Sequence, residues 1–452
     1  MDIYKKLSFI SMVVCFLIFS CSSGDIEQNN QEQETEEEHI EEQQPTEQNQ
    51  SPNILLIIAD DFGLDACPGY SIGSIKPNMP NLVDLMDNGL KFNNAWSNPT
   101  CSPTRAGILT GKYGLRTGLI RAGLTLNTSE TTIQKHLDDN TNQAYSHAVI
   151  GKWHLGRTNT HANEMGITYF AGTTSNISSY TNWTLNINGN STNSTEYATS
   201  KFTDLAIDWI NDQTKPWFLW LAYNAPHSPF HLPPNNLHSQ GALPSDQASI
   251  SGNTMPYYMA ALEALDTEMG RLINSMSQQE RDNTVIIFIG DNGTPGRVAQ
   301  EYNSRRAKGN VYQGGVAVPM VISGKGVTRV AQLEEALVNT TDLFATIADL
   351  AGTGTSQIYD SFSIKNLLSS SSANTRQYNY SEILNDAGTK DVTIRNATHK
   401  YILFGDGSEA LYDLSENPLE NPNLLNPSLA PLSDVNSSIK DDLISQLNTI
   451  TN

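Results

Sequence analysis

Basic side chains are scarce in this sequence of 452 residues, which has 27 lysine and arginine residues against 48 aspartate and glutamate residues. The formal net charge of −21 argues against binding to a nucleic acid, because nothing offsets repulsion from the phosphate backbone. Cysteines are also few, with four in the chain. A long apolar run is absent at the N-terminus: residues 7–19 follow Lys5 and Lys6 but are too short to span a bilayer as a stable helix. We therefore predict a targeting segment there, and no nucleic-acid partner.

The apolar run ends in Ile18-Phe19-Ser20-Cys21, which resembles a bacterial lipobox. We interpret residues 1–20 as a lipoprotein signal peptide and Cys21 as the lipidated first residue of the mature chain. An ordinary secretory signal with a chance cysteine is the alternative. Residues 21–52 would form a disordered acidic tether, because the part from residue 25 has ten acidic side chains, no lysine or arginine and little apolar surface. This organisation predicts an outer membrane lipoprotein on the cell-surface or periplasmic face, attached to the membrane through its lipid anchor only.

Beyond residue 52 the sequence alternates apolar runs with helical patterns. The runs at residues 54–59, 148–150, 217–222 and 284–289 are typical of strands buried on both faces of a largely parallel sheet. Helical patterns cover residues 79–88, 257–276 and 341–350, and the last is ended by Gly352. We predict a large α/β domain over residues 53–355, with a central, mostly parallel sheet flanked by helices.

The sequence from about residue 356 onward has a different pattern. Short strands are predicted at residues 391–395, 400–404 and 410–413, followed by a helix near 439–447. Residues 356–452 are therefore predicted to form a small α+β domain with a short antiparallel sheet. Residues 158–200 are rich in threonine, serine and asparagine, and we expect an extended loop there on the active-site side.

Oxygen-bearing side chains follow two of the predicted strands, as Asp60-Asp61 and Asp291-Asn292. Ligands of open α/β sheets bind at the carboxyl ends of the strands. One such pair alone would be a common helix cap or solvated turn. Its recurrence after a second strand favours a site for a hard cation, calcium or magnesium, because adjacent carboxylates repel unless a cation lies between them.

The segment Cys101-Ser102-Pro103-Thr104-Arg105 has the features of a helix start. Ser102 is predicted as the N-cap and Pro103 as the first helical residue. Cys101 would then lie at the positive end of the helix dipole, where anions are stabilised, with Arg105 one turn away. A capped helix with a buried cysteine is the alternative. A disulfide with Cys67 is possible on count, but we favour chemical modification of Cys101 and burial of Cys67 as a small apolar residue.

Cys101-x-Pro103-x-Arg105 resembles the modification signal of type I formylglycine-dependent sulfatases, in the alkaline-phosphatase superfamily. The resemblance runs in order from Pro52 to about Leu425, and its further blocks are residues 53–63, 151–156, 225–230, 291–293, 308–319 and 409–424. It implies an alkaline-phosphatase-like fold and one Ca²⁺ ion. It also implies that a formylglycine-generating enzyme or an anaerobic maturase oxidises Cys101 to formylglycine (3-oxoalanine).

The resemblance also implies roles for individual residues. The calcium ligands would be Asp60, Asp61, Asp291, Asn292 and the modified Cys101. Arg105 would hold the hydrated aldehyde ionised, and Lys152 and Lys308 would bind the sulfate group. His227, together with Lys308, would protonate the departing alcohol, and His154 would take the proton that releases sulfate. Cations in these places suit the reaction, because breaking the S–O bond exposes negative charge.

Further side chains near these blocks are candidates for binding the substrate. They are Arg305, Arg306 and His231, with Trp96 and Arg297 as additional candidates; packing or a solvated basic loop is the alternative interpretation. We predict an enzyme that hydrolyses sulfate esters of a carbohydrate, such as the algal polysaccharides ulvan, carrageenan or fucoidan. A phosphodiesterase or phosphonate monoester hydrolase of the same superfamily is one alternative. A non-catalytic glycan-binding surface lipoprotein is the other.

Overall fold

The computed structural model describes residues 51–354, 356–371 and 376–452, which fall within one compact unit. The predicted signal peptide, Cys21 and almost all of the predicted tether lie outside the described residues. Among the helices of the described ranges, none is long and apolar enough to cross a membrane. The predicted domain boundaries at residues 20, 52 and 355 stay predictions.

A ten-stranded sheet forms the centre of the molecule. Its strands in chain order are β1 (Asn53–Ala59), β2 (Gly89–Trp96), β3 (Ser146–Lys152), β4 (Tyr169–Thr173), β5 (Trp183–Ile187), β6 (Asn190–Ser194), β7 (Trp217–Ala222), β8 (Thr284–Gly290), β9 (Met320–Gly324) and β10 (Gln332–Asn339). Their spatial order is β10-β2-β9-β8-β1-β7-β3-β4-β5-β6, and all but β5 and β9 run in the same direction. The predicted large sheet is confirmed.

Helices cover both faces of this sheet, and the last helix of the chain packs on a separate C-terminal sheet. They are α1 (Pro80–Asp87), α2 (Cys101–Thr110), α3 (Gly114–Thr117), α4 (Ile133–Asn140), α5 (His161–Glu164), α6 (Ala198–Asn211), α7 (Gln247–Gly252), α8 (Met255–Ser275), α9 (Gln278–Asp282), α10 (Gln313–Val316), α11 (Leu343–Leu350) and α12 (Asp434–Thr451). All of β1 is buried, and its alternate side chains enter two different cores. One core contains Leu55 and Ile57 with α6 and α8, and the other contains Ile54 and Leu56 with α2 and α11. This two-sided burial explains the unbroken apolar runs in the central strands.

A small antiparallel sheet follows in the C-terminal region, as predicted. Its strands are β13 (Asn379–Leu384), β14 (Lys390–Arg395), β15 (His399–Leu403) and β16 (Glu409–Asp413), after a short ladder of β11 (Gln357–Ile358) and β12 (Ser361–Phe362). Helix α12 packs on this sheet, because Leu443 and Leu447 share one buried cluster with Ile394 and Leu411.

The expectation of an extended loop over residues 158–200 is wrong. The structure has α5, β4, β5, β6 and the start of α6 there. In β5 the buried residues Trp183 and Leu185 alternate with exposed Thr184, which is the period of a strand with one buried face. The polar residues of β6 lie on the outermost strand, where little apolar surface is needed.

Candidate active site

The carboxyl ends of four neighbouring parallel strands meet at one edge of the large sheet. Ala59 at the end of β1 lies opposite Gly290 of β8, and Ala222 at the end of β7 lies opposite Gly151 of β3. The residues that follow these ends are therefore brought together. They include Asp60, Asp61, Asp291, Asn292, Lys152, His154 and His227.

Helix α2 brings Cys101 to this edge as its first residue. The prediction that Ser102 caps the helix is wrong: the N-cap is Thr100, and its side chain makes no capping hydrogen bond. The Ser102 hydroxyl donates instead to the main-chain carbonyl of His154, at 2.8 Å. Cys101 is 2% exposed, and as the first helical residue it lies at the positive end of the helix dipole, as expected. Both Cys67 and Cys101 are free thiols, so they form no disulfide with each other.

Cys101 lies within a buried network of charges. Its Sγ is 3.3 Å from Asp60 Oδ1 and 3.5 Å from Lys152 Nζ, and Lys152 also donates to the other oxygen of Asp60. Arg105 donates to Asp291 Oδ2 through Nε at 3.2 Å and Nη2 at 2.8 Å, and to the carbonyl of Lys152 at 2.7 Å. We call these five residues the floor of the site, because the side chains of all of them are almost completely buried.

The floor has unusual protonation properties. Burial, followed by the negative charge of Asp60, raises the pKa of the Cys101 thiol well above its ordinary value. Burial alone would also raise the pKa of Asp60, but Lys152, His227 and Arg105 together hold it well below its usual range. The structure therefore keeps an ionised carboxylate next to a thiol that stays protonated.

The oxygen ligands predicted for a cation lie in the floor or directly beside it. Ligand atoms of Asp60, Asp61, Cys101 and His227 all lie within 4.8 Å of one another. Asn292 donates its amide N–H to Asp61 Oδ1 at 2.9 Å, and its Oδ1 is buried without a hydrogen-bond partner among the described residues. A buried oxygen without a partner next to carboxylates fits a hard divalent cation.

Asp291 lies next to these ligands and is tightly held. Its Oδ1 accepts the backbone N–H of Asp61 at 3.0 Å, while Arg105 binds its Oδ2. Burial, followed by the charge of Asp60, raises the pKa of Asp291 to about 7. A cation shared by these carboxylates would favour their ionised forms.

Lys308 and His227 form the accessible rim of the site. Lys308 Nζ is 2.5 Å from Asp61 Oδ1, with 21% of its side chain exposed, and His227 Nε2 is 3.8 Å from Asp61 Oδ2, with 12% exposed. Although burial opposes it, the negative charge of Asp61 raises the pKa of Lys308 well above its ordinary value. The His227 ring is fixed because Nδ1 donates to the carbonyl of Ser228 at 2.6 Å.

His154 lies just beyond the end of β3. The strand ends at Lys152, and His154 has a φ of 55°, in the left-handed region. Its backbone N–H donates to the carbonyl of Thr174 at 3.2 Å, and its Nδ1 is buried with no partner in the described part of the chain. Burial, followed by the charge of Lys152, lowers the pKa of His154 to about 2. Its ring is therefore neutral near pH 7.

Two buried tyrosines near the site were not predicted from the sequence. Tyr258 of α8 donates its hydroxyl to the main-chain carbonyl of Asp61 at 2.8 Å, and Tyr180 donates to the carbonyls of Asn224 and His227, each at 2.7 Å. For Tyr258 the available signal was a tyrosine among the apolar residues of a predicted helix, since a buried hydroxyl needs a partner; Tyr180 lies outside the helices and had no such signal.

The predicted substrate-binding residues have different surroundings. Arg305 is exposed, while the guanidinium of Arg306 lies 4.5 Å from the Tyr312 ring centre and donates to the carbonyl of Glu420 at 3.0 Å. His231 stacks on Tyr180 with ring centres 3.7 Å apart and is 3.0 Å from the hydroxyl of Tyr197. Their roles in binding substrate stay predictions.

The two additional candidates each donate a hydrogen bond within the protein. Trp96 is fully buried and donates to Gln313 Oε1 at 2.8 Å, which supports the packing alternative for Trp96. Arg297 donates to the main-chain carbonyl of Ser251 at 2.5 Å.

The protein has a mixed β-sheet flanked by helices, and a cysteine at a helix start, ammonium groups and oxygen ligands meet at one edge of this sheet. This combination of fold and site defines the alkaline-phosphatase-like class of hydrolases. Residues 52–353 match the family model described as Sulfatase, so the chain belongs to the sulfatase family, whose members are sulfuric ester hydrolases.

Known relatives agree with this assignment. A protein described as a sulfatase from Formosa agariphila is 27% identical over 390 residues, covering 68% of this chain and 69% of that protein. Human N-acetylgalactosamine-6-sulfatase is 27% identical over 345 residues, covering 67% of this chain and 62% of that protein. The match to mouse arylsulfatase J spans only 53% of that protein. The crystal structure of Ps i-CgsB in complex with k-i-k-neocarrahexaose shares the fold, with a TM-score of 0.75 at 23% identity over 89% of this chain and 93% of that chain.

Proposed function

We propose that this protein hydrolyses sulfate esters carried by a carbohydrate. The observation that carries the proposal is the position of Cys101 at the buried start of α2, within 3.3 Å of Asp60 and 3.5 Å of Lys152. Two relatives support the choice of a sugar: one is named for a sulfate on N-acetylgalactosamine, and the other was crystallised with a neocarrahexaose. Ulvan, carrageenan and fucoidan are the substrates to be tested first.

We propose that the nucleophile derives from formylglycine at position 101 and not from the thiol. Burial and Asp60 raise the pKa of that thiol, and a protonated thiol is a poor nucleophile. Conversion to formylglycine by a maturase would supply a hydrated aldehyde, with one hydroxyl group for attack on sulfur and a second for the release of sulfate.

We propose that one calcium ion is held by Asp60, Asp61, Asp291 and Asn292, together with the modified residue 101. Asn292 Oδ1, which has no hydrogen-bond partner in the described ranges, supports this set, because an amide oxygen with three carboxylates suits calcium. The ion would neutralise negative charge on oxygen in the transition state.

The remaining groups would bind the sulfate group and transfer protons. Lys308 offers its ammonium group at the accessible rim, and Lys152 offers one from the floor, so two cations face the position of the sulfate group. Because Nδ1 of His227 donates to Ser228, Nε2 carries a proton only when the ring is protonated. Burial lowers the pKa of His227, and the charges of Asp61 and Asp60 oppose this, so the protonated ring would pass its Nε2 proton to the departing alcohol. His154 is neutral, because burial and Lys152 lower its pKa, and it is therefore placed to accept a proton.

The first experiment measures the chemistry at residue 101. The protein is produced with a formylglycine-generating maturase, and the peptide containing Cys101 is weighed by mass spectrometry. We expect this peptide to be lighter than the thiol form, and the protein to release sulfate from oligosaccharides of ulvan, carrageenan or fucoidan. The Cys101→Ser variant should fold but lack multiple turnover, since serine offers a single hydroxyl. Full activity with an unmodified thiol, or repeated turnover by the serine variant, would contradict the proposal.

Matched sulfate and phosphate esters separate the alternatives. We expect the larger kcat/KM for the sulfate ester. A larger value for a phosphate diester or a phosphonate monoester would favour those activities instead. Binding of sulfated oligosaccharides without any release of sulfate by the matured protein would favour a glycan-binding role.

We also propose that Cys21 is lipidated and that the chain is an outer membrane lipoprotein. The support is the sequence of residues 18–21 and the acidic segment that follows. In a bacterial host, wild-type protein should enter the membrane fraction, and the Cys21→Ser variant should not. Equal distribution of the two proteins would exclude the lipid anchor.

A further inference from the structure

A cavity of about 370 Å³ lies beyond the carboxyl end of β4 and is lined only by uncharged residues. Besides Trp183, Ile177 and short hydroxyl side chains, its walls are formed by the amide side chains of Asn159, Asn176, Asn182, Asn186 and Asn193. The volume lies within the range of small-molecule sites, about 300–1,000 Å³.

This cavity adjoins the candidate active site through the ladder between β3 and β4. Its wall residue Thr173 pairs in register with Lys152, and the carbonyl of its wall residue Thr174 accepts the backbone N–H of His154 at 3.2 Å. Other cavities of 380 and 360 Å³ are lined by residues at the starts of strands, such as Ser146 and Asn53, and so lie at the opposite edge. The amide-lined cavity therefore extends the edge of the sheet at which the reaction is proposed.

The amide groups in this cavity are available to a ligand. Asn176, Asn182 and Asn193 are exposed, and no side-chain hydrogen bond of theirs is found within the described residues. Each amide offers two N–H donors and one carbonyl acceptor, which is the combination that neighbouring sugar hydroxyls require. The wall itself is held in place, because Asn186 donates to the carbonyl of Asn159 at 2.7 Å.

The same lining disfavours a sulfated sugar in this cavity. A sulfate group is bound by lysine or arginine, and neither is among the lining residues. Two basic side chains proposed to contact the substrate, Lys308 on the rim and Arg305 in the segment that precedes it, do not line this cavity.

We propose that the amide-lined cavity binds an uncharged sugar residue of the substrate, next to the residue that carries the scissile sulfate. This inference rests on the proposed carbohydrate sulfatase activity. It adds that the enzyme prefers carbohydrate substrates in which a sulfated sugar is next to an unsulfated one.

The experiment compares three variants with wild type. The double variant Asn176→Ala/Asn182→Ala removes two cavity amides, and Asn182→Lys adds a positive charge. Asn190→Ala is the control, since Asn190 is exposed in the β5–β6 hairpin, which forms part of the cavity wall, but does not itself line the cavity. All are assayed on 4-nitrophenyl sulfate and on defined oligosaccharides of carrageenan, ulvan and fucoidan, with thermal unfolding as a check of folding.

We expect the double variant to lose about tenfold in kcat/KM on the oligosaccharide that wild type desulfates best, mainly through KM. Its activity on 4-nitrophenyl sulfate and all activities of Asn190→Ala should remain at the wild-type level. An equal loss on both kinds of substrate, or no loss on the oligosaccharide, would overturn the inference. A gain in kcat/KM for Asn182→Lys would overturn it in favour of a sulfated sugar. If wild type releases sulfate from none of the probes, the proposed function itself fails, which is a separate result.

Discussion

Replacing Arg105 with methionine tests the charge network around the proposed nucleophile. Arg105 is fully buried and makes two hydrogen bonds to Asp291 and one to the carbonyl of Lys152. Methionine keeps much of the volume but leaves Asp291 without its cation. Removing one partner of a buried ion pair costs about 3–5 kcal/mol of unfolding free energy. We also expect kcat/KM to fall by about 10²–10³-fold, as for the loss of one preorganised charge.

Arg376→Met is the matched control. Arg376 is also buried and binds Asp342 through Nε at 3.0 Å and through Nη2, but its other partners are Tyr113 and the carbonyl of Asp360, away from the candidate active site. This variant should be destabilised to a similar degree and keep the kcat of wild type. Stability is measured by urea unfolding, and sulfate release is measured at a temperature at which all three proteins are folded.

Calcium separates an electrostatic role of Arg105 from a purely structural one. Without the arginine, the carboxylates near residue 101 carry one more unbalanced negative charge, so calcium should bind more tightly. The stabilisation by ligand grows as RT ln(1 + [L]/Kd), and a given calcium concentration should therefore stabilise Arg105→Met more than Arg376→Met. The reasoning is refuted if Arg105→Met keeps wild-type kcat, or if calcium stabilises both variants equally.

Three further predictions follow from the site. Lys308→Met should lose about 10²–10³-fold in kcat/KM with a smaller fall in the urea midpoint than Arg105→Met, because the Lys308 side chain is partly exposed and water can partly replace it beside the buried Asp61. Lys308→Arg should lose less activity, and equal losses of kcat/KM in the two variants would argue against a role for the charge. Removal of metal with a chelator should abolish sulfate release, and added calcium should restore the activity better than added magnesium. Full activity of protein that mass spectrometry shows to be free of metal would exclude the proposed ion. Burial lowers the pKa of His231 from 6.5 to about 4, so the unfolded chain binds the proton first and the unfolding free energy falls as the pH drops through this window. The full loss of unfolding free energy between pH 7 and pH 4 is about 3 kcal/mol. The His231→Phe variant should lack this part of the pH dependence when urea midpoints are measured across the same range. If the pH dependence of the variant equals that of wild type, His231 is not its cause.

The central part of the fold was predictable because it is buried on both faces. β1, β7 and β8 consist of buried residues only, and such strands give unbroken apolar runs. The hairpin of β5 and β6 gives no such run, since most residues of β6 are exposed. Its conformation depends on pairing with β4, and a contact of that kind is not visible in the local sequence.

The residues of the candidate active site were predictable to a similar extent. The acidic pairs follow strands, and parallel strands deliver such residues to one edge. The start of α2 was misassigned because a serine hydroxyl can bond either to its own helix or to a residue far away in the chain. Ser102 donates to the carbonyl of His154 and does not cap α2. The contact of Tyr258 with Asp61 joins residues far apart in the chain, and no local pattern marks it.

The division of the site into a floor and a rim has a consequence for how substitutions act. The floor charges are buried and satisfy one another, as Arg105 does with Asp291 and Lys152 with Asp60. A substitution of a charged floor residue therefore leaves an unpaired buried charge, and stability falls together with activity. Lys308 on the rim keeps contact with solvent, so water partly replaces it beside the buried Asp61 and its removal affects activity more than stability. Among the charged residues, the ratio of lost stability to lost activity should therefore follow the burial of each side chain, whatever its distance from position 101.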